Sequence, residues 1–319
     1  MTRIGVVGRG VVGERVAHRL STVVRDVEVV DLDLRTQPRP RDDLDVVVLA
    51  QGGSHASSAS VFLDAGIAVV SMSDDLADVR ALADLDHLAL ASGVPLVVGA
   101  GMSPGLTGLL ARLLVSELAS CDEIHIAFHG TAGPSCARQQ HRALRGLAVG
   151  FRDGTWIQRP AGSGRELCYF PEPVGPYDCY RAELPSPVLL HDAFPQVGRV
   201  SARVSANRRD RFTAWLPMLS PPHREGGIGA VRVEVRGNDE SGGRRTLIAG
   251  AAELVGTAAA ATAIAFASAA VDGCLVPGVV RAGDPSLDTV SLLRAVSEAG
   301  VRLQEFTGVP SERRIRANP

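Results

Sequence analysis

Five short apolar runs toward the N-terminus constrain this chain most. Residues 3–8, 27–31, 45–50, 67–71 and 94–99 are brief, apolar and largely unbroken by charge, as parallel strands buried on both faces are. Helical signals fill the gaps at residues 11–20 and 57–66. A third helix is expected from a cap at Ser73 or Asp74 to about Ser92, stopped by Gly93. Ser103-Pro104 reads as a cap residue followed by proline at the first helical position, opening a helix to about Leu118. Strand and helix alternate at the spacing of βαβ units, which sets an open α/β sheet over residues 1–122. The run Gln37-Pro38-Arg39-Pro40-Arg41 is a surface loop, where proline blocks regular structure.

From about Asp122 the texture changes. Residues 123–129, 197–206, 230–236 and 245–252 tend to alternate apolar with polar, and Gly-, Pro- and Asp-rich turns separate them. With a helix expected at 138–149, this reads as a half-solvated, largely antiparallel sheet. Past Gly256 the chain is expected to be helical to about Asp272, with a last helix at 287–299 and a frayed end at 311–319.

Composition excludes several classes. At 45% apolar and 21% charged residues, wholesale disorder is out. A net charge of −2 with the signs interspersed leaves no footprint for nucleic acid or an anionic membrane. Residues 254–271 carry no charge, but they are mostly alanine and read as a buried helix rather than a membrane span. Cys121, Cys136, Cys168, Cys179 and Cys274 form no CxxC pair and have no ligand spacing to histidine, so no structural metal or disulfide framework is expected. The chain reads as cytoplasmic with free thiols. It has no lysine, and all 33 basic residues are Arg. No step can therefore use a lysine Schiff base, and no lysine can act as general acid or base.

The motif with chemical content is Gly8-Arg9-Gly10-Val11-Val12-Gly13, a GxGxxG between the first strand and the first helix. In that context Gly8 makes the tight turn, Gly10 admits a pyrophosphate to the backbone, and Gly13 allows close helix–strand packing. Asp31 follows Gly13 by 18 residues, at the end of the second strand. A carboxylate there accepts hydrogen bonds from adenosine ribose hydroxyls and repels a 2′-phosphate, which favours NAD. Arg35 is the residue that would accommodate NADP instead. The expected fold is a Rossmann dinucleotide-binding domain. Gln51, Gly52, Gly53, Ser73, Gly101 and Met102 stand at later strand ends and complete the expected cofactor site.

The run Gly66-Ile67-Ala68-Val69-Val70-Ser71, the acidic turn Ser73-Asp74-Asp75 and the stretch Gly99-Ala100-Gly101-Met102-Ser103-Pro104-Gly105-Leu106 resemble the saccharopine dehydrogenase-like reductases in content and order. The resemblance resumes at residues 257–273 and at Pro277-Gly278-Val279. It implies a Rossmann domain (1–122) completed by C-terminal helices (256–319), with an inserted α+β substrate and dimerisation domain (123–255). It also implies NAD(P)-dependent hydride transfer to or from the C–N bond of a small amine or amino-acid-derived imine. Some relatives act on lipid enoyl groups, so reduction of C=C or C=O is the alternative, and a non-catalytic dinucleotide-binding protein is a further one. The absence of lysine sets this chain apart from the lysine-forming saccharopine enzymes.

Within the second domain, His129 at a strand end and His141 on the following helix are candidates for proton transfer. Arg138, Arg142 and Arg145 fall near one helix face, where guanidinium groups can clamp a substrate carboxylate bidentately. Backbone N–H groups at Ser103-Pro104-Gly105 are expected to assist, so Ser103 and Gly105 join the substrate site. Trp156 and Trp215 are sheet-packing residues or pocket walls. The expected partners are a carboxylate- or amine-bearing small molecule and a second copy of the chain, with no nucleic acid and no membrane.

Overall fold

The computed structural model describes residues 2–24, 26–33, 43–219, 221–306 and 313–314. Arg35, the 37–41 loop and most of the 311–319 end lie outside the described residues.

The N-terminal runs form the expected units: β1 (Thr2–Val7), α1 (Val11–Val23), β2 (Val27–Leu32), β3 (Val46–Leu49), α2 (Ala56–Asp64) and β4 (Ala68–Ser71). Then come α3 (Leu76–Ala83), α4 (Asp86–Ser92), β5 (Pro95–Val98) and α5 (Leu106–Val115). Residues 73–92 thus hold two helices where one was expected. Asp75, rather than Ser73 or Asp74, caps α3, accepting from the Ala77 and Asp78 amides. Gly93 ends α4 in the left-handed conformation (φ 69°), as its position demands.

The start of α5 differs from expectation. Ser103 and Pro104 precede the helix and belong to a closed turn, in which the Gly101 amide donates to Pro104 O and the Leu106 amide to Gly101 O. Gly105 sits at φ 132°, and a Cβ there would lie 2.1 Å from Gly101 O. Its role is to close that turn. The first amides of α5, those of Leu106 and Thr107, are taken by Gly101 O and Met102 O.

The next stretch builds β6 (Ser120–His129), α6 (Pro134–Ala143), β7 (Leu147–Arg152), β8 (Thr155–Pro160), β9 (Glu166–Tyr169) and β10 (Pro176–Arg181). It continues with α7 (Ser186–Ala193), β11 (Arg199–Ser205), α8 (Arg208–Phe212), β12 (Ile228–Asn238) and β13 (Arg244–Leu254). The helix expected at 138–149 is α6, which starts earlier at a proline and ends before Arg145. Last come α9 (Val255–Val271), β14 (Gly278–Arg281), α10 (Thr289–Glu298), β15 (Leu303–Phe306) and β16 (Arg313–Arg314).

Two sheets result. The first is six-stranded and parallel, in the order β14-β5-β4-β3-β1-β2. The second follows the path β16-β15-β13-β12-β6-β11-β10-β9, with β7 and β8 attached at β11. It is antiparallel except where β11 runs beside β6. The C-terminal segment divides between them: β14 extends the first sheet, while β15 pairs with β13 in the second. A purely helical return to the first sheet was the expectation, and strand pairing overrides it.

One continuous core joins the sheets, running from Ile4 and Val6 through α5 and α9 to Ile124, Val231 and Val233. Helix α9 lies between them, packed on α1, α10, β3, β4 and β13. Burial on every side explains its composition: alanine and glycine let neighbouring backbones approach, and no polar face is needed. No helix among the described residues is long and apolar enough to cross a membrane.

Candidate functional site

The site begins with the β1–α1 turn. Gly8 has φ 112°, and a Cβ there would meet the Gln51 amide at 2.6 Å. A Cβ on Gly13 would lie 1.8 Å from Gly8 O. These two glycines let the turn fold tightly against β3 and against itself. At Gly10 the opposite holds, because a Cβ there would meet nothing within 4 Å. Gly10 is also the N-cap of α1 and has no side-chain cap. A helix N-terminus opening onto empty space beside a residue with no side chain is the cradle that a pyrophosphate fills. The geometry fits a dinucleotide.

The carboxyl ends of β1, β3, β4 and β5 face α6 across a cleft of about 1400 Å³. Strand order reverses direction of growth between β1 and β3, the place where open α/β sheets bind ligands. Gly8, Gly10, Val11, Val12, Gln51, Gly52, Gly53, Ser73, Gly101, Met102 and Ser103 all line this cleft. Gly13 packs behind it, and Asp31 lies outside its lining at the end of β2, where its carboxylate pairs with Arg9 Nε at 2.8 Å. Both partners of that pair are well exposed, so it contributes little energy. The Gln51 side-chain oxygen is buried in the cleft wall with no hydrogen-bond partner among the described residues.

The opposing wall is α6 and its flanks. Arg138, Arg142 and Arg145 line the cleft, as do Cys136, Gln139 and Glu183. Arg142 Nη2 donates to Gln139 Oε1 at 2.8 Å, and Gln139 Nε2 donates across the cleft to Asp75 Oδ2 at 2.7 Å. This relay anchors the arginine-bearing helix to the cap of α3. Gly105 lies outside the lining.

His129 and His141 do not face the cleft. Side chains alternate along a strand, so Phe128 lines the cleft while His129 points from the other face of β6. There its ring lies 4.0 Å from that of Tyr177, and Nδ1 is 2.8 Å from Ser205 Oγ. Burial holds it below the usual histidine range. On α6, His141 shares the buried face with Ala137, one residue round from Arg142, and its Nε2 is 3.0 Å from Leu216 O. Successive residues on a helix do not share a face. Both rings are therefore part of the packing. Trp156 and Trp215 also lie off the cleft, the first edge-on to Phe151.

His55 lines the cleft, but both ring nitrogens are engaged, Nε2 with Gln51 O at 2.8 Å and Nδ1 with Ser71 Oγ at 2.9 Å. Burial lowers its pKa, so the ring is neutral, with Nε2–H donating to the carbonyl and Nδ1 accepting from the hydroxyl. Asp78 accepts from Ser54 Oγ and from the His55 and Ala56 amides. Against the upward push of burial, these bonds hold its pKa below the ordinary value. Among the described residues, no cluster of His, Cys, Asp and Glu could hold a metal ion.

No known family profile matches the chain, and no curated protein matches it in sequence. Solved structures do match. Apo saccharopine dehydrogenase (L-Glu forming) from Saccharomyces cerevisiae superposes with a TM-score of 0.70 at 13% identity, over 96% of this chain and 100% of that one. A mutant of meso-dapdh from Clostridium tetani E88, with DAP, superposes with a TM-score of 0.50 at 16% identity, over 92% of this chain and 96% of that one. The fold is thus a Rossmann α/β fold with a second, mainly antiparallel sheet. Over 96% of the chain that architecture is similar to the one of the yeast saccharopine dehydrogenase.

Proposed function

We propose that the chain is an NAD(P)-dependent oxidoreductase that transfers hydride to or from the C–N bond of a small amine or amino-acid-derived imine. The observation that carries this reading is one cleft with the open cradle at Gly10 on one wall and Arg138, Arg142 and Arg145 on the other. A bound nicotinamide dinucleotide would supply the hydride donor or acceptor. The amides at the start of α1 hold its pyrophosphate, and Asp31 takes the ribose hydroxyls once Arg9 releases it. Arg138 and Arg142 hold a substrate carboxylate away from the reacting carbon, with Ser103 on the facing wall. Hydride transfer to an iminium asks for position and electrostatics more than for a strong acid. An arginine- and aspartate-lined cleft suits such a substrate better than an apolar enoyl group.

The test is NADH oxidation with 2-oxo acids and amines, supplied singly and in pairs. Oxidation that needs both partners is the expected result. Oxidation of an enoyl or carbonyl probe with no amine present would replace this reading with the alternative one.

Asp31 supports NAD over NADP. Asp31→Ala is expected to weaken NAD binding by ~1–3 kcal/mol and to relax discrimination against NADP. A wild-type preference for NADP of about tenfold or more would mean that Arg35 or Arg9 outweighs Asp31. A homodimer through the second sheet belongs to the same reading, since edge strand β9 exposes Leu167 and Tyr169. Light scattering should show a dimer at micromolar concentration, and a monomer would contradict it.

A further inference from the structure

Three carboxylates follow one another on the wall beyond β4, and they differ in what they hold. Asp75 caps α3 and accepts from Gln139. Asp78 is taken up by the start of α2. Asp74 caps no helix. It lines the cleft on the β3–β4–β5 side of the crossover between β1 and β3, the half of the crevice opposite Asp31 and therefore the nicotinamide half of a dinucleotide. Cys136 and Arg142, both from α6, line the same cleft, and the thiol and the guanidinium both favour the ionised form of Asp74. From its own loop it faces Asp75.

These neighbours leave Asp74 poised. Burial raises its pKa to about 6, its own amide, the Cys136 thiol and Arg142 pull it down, and Asp75 pushes it up. Cys136 stays a thiol, pushed up to about 12 by burial and by the Asp74 charge. As a thiol it is no nucleophile, and it stands here as a neutral neighbour of the carboxylate.

We propose that Asp74 is the proton-holding group of the cleft, giving its proton to the substrate nitrogen once hydride has moved and standing as a carboxylate beside the oxidised nicotinamide. The inference rests on the reading of the cleft as a nicotinamide-dinucleotide site. In the reductive direction the iminium carbon accepts hydride, two electrons and one proton together, from the dihydronicotinamide, which is oxidised to a cation. The C=N π bond becomes the lone pair of a neutral amine. Asp74 then gives its proton to that nitrogen, and an ammonium leaves while the new carboxylate faces the cationic ring. In reverse, the carboxylate first removes a proton from the ammonium, and hydride departs from carbon afterwards.

The consequence is readable without a substrate. A cationic ring stabilises the Asp74 carboxylate, so NAD⁺ binds better once Asp74 is ionised and releases a proton when it binds at lower pH. NADH carries a neutral ring and has no such preference. Titrating wild-type protein with NAD⁺ and with NADH from about pH 5 to about pH 8, the ratio Kd(NAD⁺)/Kd(NADH) is expected to fall about tenfold. In Asp74→Asn the ratio should be flat across this range. Cys136→Ala should keep the dependence and move its midpoint to higher pH, because the thiol is one of the groups that lower the Asp74 pKa. A flat ratio in the wild type, or an equal fall in Asp74→Asn, overturns the role of Asp74 and leaves the cofactor site standing. Failure of either nucleotide to bind overturns the cofactor site as well.

Discussion

Gly10→Val should fold like the wild type and lose its nicotinamide dinucleotide. Gly10 has extended backbone angles (φ −88°, ψ 179°) that valine adopts readily, and a Cβ there meets nothing. The protein therefore has no reason to destabilise. A bound pyrophosphate would occupy that same space, and a valine side chain blocks its approach to the α1 amides. Binding should weaken on the order of a hundredfold or more, about 3 kcal/mol. Gly13→Val is the informative contrast, since its Cβ collides with Gly8 O and the turn itself must break. That variant should lose stability before binding can be asked about. Thermal unfolding and NADH titration of the two variants separate the roles, and unchanged NADH affinity in Gly10→Val would remove the cradle from the account.

The second large effect belongs to the arginine wall. Arg138→Ala combined with Arg142→Ala should leave NADH affinity alone and impair turnover of a carboxylate-bearing substrate by ~2–5 kcal/mol. Most of that loss should appear as a raised KM if the clamp holds substrate and transition state alike, or as a lowered kcat if it tightens during the reaction. Arg142 is already held by Gln139, which donates to Asp75, so its loss also frees the relay between α6 and α3. Normal KM and kcat in the double variant would make these arginines a solvated face.

The parallel sheet was legible because strands buried on both faces carry their evidence locally. Val46–Leu49 and Ala68–Ser71 are buried throughout, and their sequences could be little else. The same locality marked Gly93 and the glycines of the β1–α1 turn. Other features are set by distant partners. No glycine or proline marks the break between α3 and α4 at residues 84–85. Strand β8 is exposed along most of its length and has no alternation to read. Strand β15 joins the second sheet only because β13 offers an edge.

The candidate site divides along the same line. The cofactor wall lies within single βα turns and could be read from them. Period-two and helical spacing put His129 on the face opposite Phe128 and His141 with Ala137, so position along the element, and not residue type, decides where these rings point. Asp74 could not be found that way, because its character depends on Cys136 and Arg142 arriving from a helix some sixty residues further along the chain. The closed turn at Ser103–Gly105 imitates a helix cap in sequence, and only its hydrogen bonds tell the two apart.

Direct titration of the wild-type protein with NADH, followed by the fluorescence of the dihydronicotinamide, tests the central claim most simply. The account predicts saturable binding of one NADH per chain with a dissociation constant in the micromolar range, roughly −8 kcal/mol. Fluorescence that rises without saturation to millimolar NADH, for a protein shown to be folded, would contradict it.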